Sequence, residues 1–112
     1  MRLKSEIWVS AFLRRWQAEG LFGAVIRRGA AEAGAVYVIV NHLNGTFHFF
    51  GPAPGPTHDE EGERRWAEEL PYPTTQLAID HRLEKVRAFD PDIWIVEIED
   101  RNGTGGLQAV KE

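Results

Sequence analysis

Apolar residues recur at helical spacing over residues 4–18. Trp8, Phe12 and Trp16 stand four apart with Val9 and Leu13 on their flank, while Glu6, Ser10, Arg14 and Gln17 gather opposite. The pattern predicts an amphipathic helix stopped by Gly20. Its aromatic stripe is read as core, because each such ring buries on the order of 150–250 Å². Period-two patterns follow at 24–28, 35–43 and 46–50, which predict three strands. Asn44-Gly45 separates the last two, and its tolerance of positive φ predicts a two-residue hairpin turn. That turn would set His42 opposite Phe47 and Val40 opposite Phe49. One face then carries Val36, Val38, Val40, His42, Phe47 and Phe49, and is expected to be core. The other carries Tyr37, Ile39, Asn41, Leu43, His48 and Phe50, to be covered by a helix, a partner or water.

Three prolines and two glycines over 51–56 exclude regular structure, so a stiff exposed connection leads into the acidic stretch His58-Asp59-Glu60-Glu61-Gly62-Glu63. Flexibility is expected to be greatest there. Residues 64–70 read as a short strand extending the meander. A second helix over 75–88, capped by Thr74, turns Ile79, Leu83 and Val86 inward, and Asp90-Pro91 ends it. The strand over 93–99 alternates with acid only in its second half, so its first half is expected to be buried on both sides. Together these elements predict an α+β fold in which two helices pack on a mostly antiparallel sheet with a central Asn-Gly hairpin, in the order α-β-β-β-β-α-β. Residues 1–101 form the domain and 102–112 a frayed, flexible tail.

Composition agrees with one globular domain: 112 residues, 43% hydrophobic and 27% charged. The absence of Cys removes disulfides and thiolate chemistry. A charged N-terminus and the lack of an apolar run approaching ~20 residues point to a cytoplasmic protein without membrane association. Charge is unevenly placed. Residues 1–28 hold six Lys/Arg against two acids, a net +4, and the remainder holds seven against fifteen, a net −8. Arg14, Arg15, Arg27 and Arg28 could thus form a positive patch on an acidic body, suited to an acidic protein partner. Fifteen acids elsewhere argue against nucleic acid, whose readers are usually basic over the whole footprint.

Candidate chemistry is sparse. With the two-residue turn, His42 and His48 fall on opposite faces and could not share a metal ion. The acidic stretch lacks the spacing of a calcium loop. Gly103–Gly106 lacks the lysine and following helix of a phosphate cradle. Asp90 and Asp92 are the best acid/base pair, since two carboxylates at a helix-strand junction could repel one another, although Asp before Pro also shapes turns. No catalytic motif is found, and no cofactor or metal site is expected. Tyr37, Ile39 and Phe50 would leave an apolar sheet face that self-association could cover, making a homodimer a second candidate assembly.

Leu3-Lys4-Ser5-Glu6-Ile7-Trp8-Val9-Ser10-Ala11, Arg27-Arg28-Gly29 with Ala33-Gly34, Gly51-Pro52-Ala53, and Phe89-Asp90-Pro91-Asp92-Ile93-Trp94 with Val96-Glu97-Ile98-Glu99-Asp100-Arg101 resemble a family of small bacterial proteins, domain of unknown function 1491. The resemblance covers residues 1–101 and implies a bacterial cytosolic protein without supplying an activity. Two functions are therefore carried forward: a non-catalytic interaction module, and a small enzyme or ligand binder centred on Asp90 and Asp92.

Overall fold

The computed structural model describes residues 2–110. Its elements run α1 (Ser5–Ala18), β1 (Gly23–Arg27), β2 (Val36–Asn41), β3 (Phe47–Pro52), β4 (Trp66–Glu68), α2 (Gln76–Phe89) and β5 (Trp94–Glu99). The five strands form one sheet in the order β1-β5-β2-β3-β4. Three neighbouring pairs are antiparallel, and β2–β5 is parallel. The short strand read over 64–70 is β4. Among the described residues, no helix is long and apolar enough to cross a membrane.

Alternation along the central strands feeds two cores, one on each face of the sheet. Val36, Val38, Val40, Phe50, Trp94, Val96 and Ile98 pack against Val9, Phe12 and Leu13 of α1. Ile39, Phe47, Phe49, Ile93 and Ile95 pack against Ile79 and Leu83 of α2. All of β5 except its acids is buried, as expected of a strand covered on both sides. Trp8 and Trp16 stand at the margin of α1's buried stripe, half-exposed, and the stripe itself centres on Val9, Phe12 and Leu13. The cap of α2 is Thr75, one residue later than expected, its hydroxyl accepting from Ala78 N at 3.2 Å.

The hairpin register differs from the sequence reading by one residue. Asn41 pairs with Phe47, Val40 with His48, Ile39 with Phe49 and Val38 with Phe50. His42 N donates to Thr46 O, which leaves a three-residue loop, Leu43-Asn44-Gly45, with positive φ at Leu43 (63°) and Gly45 (88°). The cause is side-chain competition for the turn amides. The Asn41 side chain accepts from Leu43 N at 2.8 Å, and that of Asn44 accepts from Thr46 N at 3.0 Å. A one-residue slip moves side chains to the opposite face. Phe47 and Phe49 therefore lie beneath α2, while His48 and Phe50 join the α1 face.

Residues 102–110 do not fray. The Asp100 carboxylate accepts from the amides of Asn102, Gly103 and Gly105, folding the chain back on itself. Leu107 enters the α1-side core, and Ala109 bridges to Trp66 at the free edge of β4. Lys111 and Glu112, the end of the expected tail, lie outside the described residues. The acidic stretch is likewise built. Asp59 N donates to Glu63 O, and the Asp59 carboxylate accepts from the amides of Glu61 and Glu63, closing a tight turn across which His58 pairs with Arg64.

Candidate functional site

A cavity of about 370 Å³ opens at one end of the sheet, between the start of α1, the entry to β2, the exit of β3 and the 57–66 hairpin. Val36, Pro52 and Trp66 give it an apolar floor, and Arg2, Lys4, Arg64 and Arg65 surround that floor with four cations. Glu32 is the single carboxylate in the wall, and it pairs with Lys4 at 3.6 Å. The first residue of α1 lies here, so the positive end of the helix dipole adds to the field. Its first two amides are already bonded, Ser5 N to Glu32 O and Glu6 N to Ala31 O.

Arg64 anchors the arrangement. Its Nη2 donates to Ser5 Oγ at 3.0 Å, and that fully buried hydroxyl donates onward to Gly34 O. Its guanidinium lies 5.5 Å from the centre of the Trp8 ring. Burial holds its pKa below the ordinary arginine value. Among the described residues, none of the ion pairs involves Arg64. His58 sits beside it, sharing a 3.0 Å contact with Thr57 Oγ1 through Nδ1. Burial lowers the His58 pKa, the charges of Arg64 and Arg2 lower it further, and Asp59 opposes them. Three shielded side-chain nitrogens in the described residues lack a hydrogen-bond partner: Trp16 Nε1, His58 Nε2 and Arg64 Nε. Two of the three belong to this cavity, which marks it as a place where polar groups await an acceptor.

The residues singled out from sequence do not converge there. Arg14 and Arg28 share a shallow groove beside α1, but Arg28 is engaged by Glu6 at 2.6 Å and lies over Trp94. Arg27 turns the other way and donates to Ile93 O at 2.9 Å. Arg15 stands on the opposite flank of α1, against Gly105 and Gly106. The four arginines form no single patch.

Tyr37, Ile39 and Phe50 form no surface either. Ile39 and Phe50 are 3% and 2% exposed and belong to the cores on opposite faces, since the register shift carried Phe50 across the sheet. Tyr37 is half-buried under α2, where burial raises its pKa and Glu69 and Asp90 add to the rise against Arg82. Asp90 accepts from Asp92 N at 3.0 Å, and Asp92 O accepts from Ala30 N at 2.9 Å, so the junction is a structural turn. Neither aspartate borders the cavity.

His42 and His48, expected on opposite faces, are neighbours. The register slip aligns them, and His42 Nε2 lies 2.8 Å from His48 Nδ1. Among the described residues, no group of three or more His, Asp or Glu is placed to hold a metal ion.

Residues 3–108 match the family described as a protein of unknown function, DUF1491. The chain belongs to the DUF1491 family. Three solved structures share its fold over its whole length. Protein Atu0922 from A. tumefaciens, solved in solution, is 40% identical over 100% of this chain and 98% of its own, with a TM-score of 0.83. A DUF1491 protein from Caulobacter crescentus CB15 is 38% identical in its crystal structure, covering 100% of both chains with a TM-score of 0.78. An NMR structure of a DUF1491 protein from the same organism is 39% identical, covering 100% of this chain and 99% of its own, with a TM-score of 0.76. No curated protein matches the chain. The family match spans every segment that forms the cavity wall from Leu3 to Trp66.

Sequence reasoning missed Arg2, Lys4, Ser5, His58, Arg64 and Arg65. The tandem Arg64-Arg65 after an acidic run was the available signal, since the Asp59 carboxylate closes that run on the amides of Glu61 and Glu63 and both arginines reach the cavity wall.

Proposed function

We propose that this DUF1491 protein is a non-catalytic interaction module that receives an acidic segment of a partner protein, seating a carboxylate in the cavity at the start of α1. Arg64 carries the reading: a half-buried guanidinium without a carboxylate beside a histidine nitrogen without a partner. A carboxylate there would gain charge-assisted hydrogen bonds and relieve the desolvation of Arg64. The apolar floor suits a side chain flanked by aliphatic residues. A volume near 370 Å³ lies at the low end for ligand pockets, enough for one or two side chains. The reading is non-catalytic because the converging groups are cations and donors, and Ser5, the hydroxyl nearest Arg64, already donates to Gly34 O. The alternative centred on Asp90 and Asp92 loses support because the Asp90 carboxylate and the Asp92 backbone are engaged in a turn.

Calorimetry with a capped peptide carrying aspartates between leucines, compared with its asparagine counterpart, tests the proposal. The aspartate peptide is expected to bind and the asparagine peptide to fail. Arg64→Met, which keeps the stem over Trp8, should weaken binding about tenfold or more, in line with ~1.5–3 kcal/mol for a bond to a charged group. Affinity should also rise as pH falls from about 8 to 6, because a bound anion favours the imidazolium of His58 whose pKa burial and Arg64 now depress. Equal binding of both peptides, or of neither, rules the reading out. Labelled oligonucleotides at ~50 and ~200 mM salt should show no appreciable affinity.

A further inference from the structure

Three polar contacts run in line from the end of β5 to β4, on the α1 face of the hairpin and apart from the cavity. His42 Nδ1 lies 2.6 Å from Asp100 O, His42 Nε2 lies 2.8 Å from His48 Nδ1, and His48 Nε2 lies 3.5 Å from Glu68 Oε1. Proton bookkeeping fixes what each nitrogen carries. A carbonyl oxygen offers only lone pairs, so the His42 proton sits on Nδ1. Neutral His42 then presents a lone pair at Nε2, and the proton of the second contact belongs to His48 Nδ1. That leaves His48 Nε2 bare, facing a carboxylate with no hydrogen between them. The distance agrees: 3.5 Å is longer than the ~2.7–2.9 Å of a charge-assisted N–H···O bond.

One added proton completes the line. It makes His48 a donor to Glu68, and it can pass to His42 through the 2.8 Å contact without breaking any link. A second proton would set two N–H groups against each other in that contact. With no added proton the third link is open, with one all three close, and with two the second link fails.

We propose that His42, His48 and Glu68 form a one-proton latch that fastens β4 to the β2–β3 hairpin on acidification. The surroundings hold the rings for this task. His42 is buried, and Tyr72 stacks on His48 at 3.8 Å while Phe50 lies parallel to it at 5.6 Å. The titratable or charged groups facing His48 are Glu68 from β4, His42 beyond the end of β2 and the Tyr72 phenol from the connection into α2. Burial holds the His48 imidazole below its ordinary 6.5, Glu68 pulls it upward, and His42 adds to the lowering. The latch therefore closes in mild acid.

Nitrogen-15 NMR of the ring nitrogens, titrated from about pH 8 to 5, tests this on the unmodified chain. His42 is expected to show the Nδ1–H tautomer at pH 8, and His48 to gain a proton on Nε2 below 6.5. Amide exchange at Ala67 in β4 and at Glu69, whose N–H donates to Phe49 O just past it, should slow several-fold across the same step once corrected for its intrinsic pH dependence. Glu68→Gln removes the carboxylate from an exposed position, so it should lower the His48 midpoint and abolish the slowing. An Nε2–H tautomer of His42, or a His48 midpoint unmoved by Glu68→Gln, overturns the latch. So does β4 exchange that ignores the titration.

Discussion

Glu97 faces α2 from β5, half-buried, with the Asn41 side chain as hydrogen-bond partner. Neither Arg27 nor Arg28 reaches it, because one is held by Ile93 O and the other by Glu6. Burial raises its pKa, Glu99 and Asp80 add to the rise, and Asn41 opposes it. The folded chain thus holds the Glu97 proton more tightly than the unfolded chain does. Its contribution to stability falls as pH climbs from the ordinary 4.5 through the raised folded value. Glu97→Gln removes that loss, so the variant should melt higher than the parent at pH 7 and converge with it near pH 4. Thermal unfolding at the two pH values decides, and a parent that melts higher at pH 7 would show that the ionised carboxylate is well paired.

The closing segment after β5 is the element whose role departs most from expectation. Leu107 reaches the same core as Phe12 and Trp66 at 8% exposure, and the bridge of Ala109 to Trp66 covers a strand edge. Leu107→Ala should destabilise by about 2–4 kcal/mol, the usual cost of a buried Leu truncation. A urea midpoint within error of the parent would mean that the segment is dispensable. Sequence alone showed less here because glycines and a lone leucine carry no period, and their order comes from one carboxylate, Asp100, gathering three amides. Helices and strands were legible where period was strong, as in α2 and β5. The hairpin was legible as a hairpin but misjudged by one residue, because the side chains of Asn41 and Asn44 take the Leu43 and Thr46 amides, which a two-residue turn would pair with backbone carbonyls. That single residue hid the His42–His48 contact. The cavity was hidden for another reason: its wall draws on residues 2–5, 32–36, 52, 57–58 and 64–66, so no local motif can represent it.

At the scale of the molecule, both sheet faces are closed by the chain's own helices, which removes the exposed apolar face that suggested a dimer. Light scattering at high micromolar concentration should give the mass of one chain. A dimer mass would direct attention to surfaces outside the two cores, such as the exposed Phe22, Ile26 and Phe89.

The position of β5 has a consequence in time. It is the last strand in sequence, yet it lies between β1 and β2 and supplies the partner for both. As the chain emerges from the ribosome, β1 has no neighbour and β2 has only β3 until residue 99 is free, so β1 cannot join the sheet before β5 does. Val38 and Val40 stay without Val96 and Ile98, their neighbours in the sheet, until β5 is made. Closure of the five-stranded sheet therefore waits for β5, although β2, β3 and β4 can pair before it. A nascent chain halted before Ile93 is a sheet with its middle missing, which the cell would meet as a substrate for chaperones or proteases.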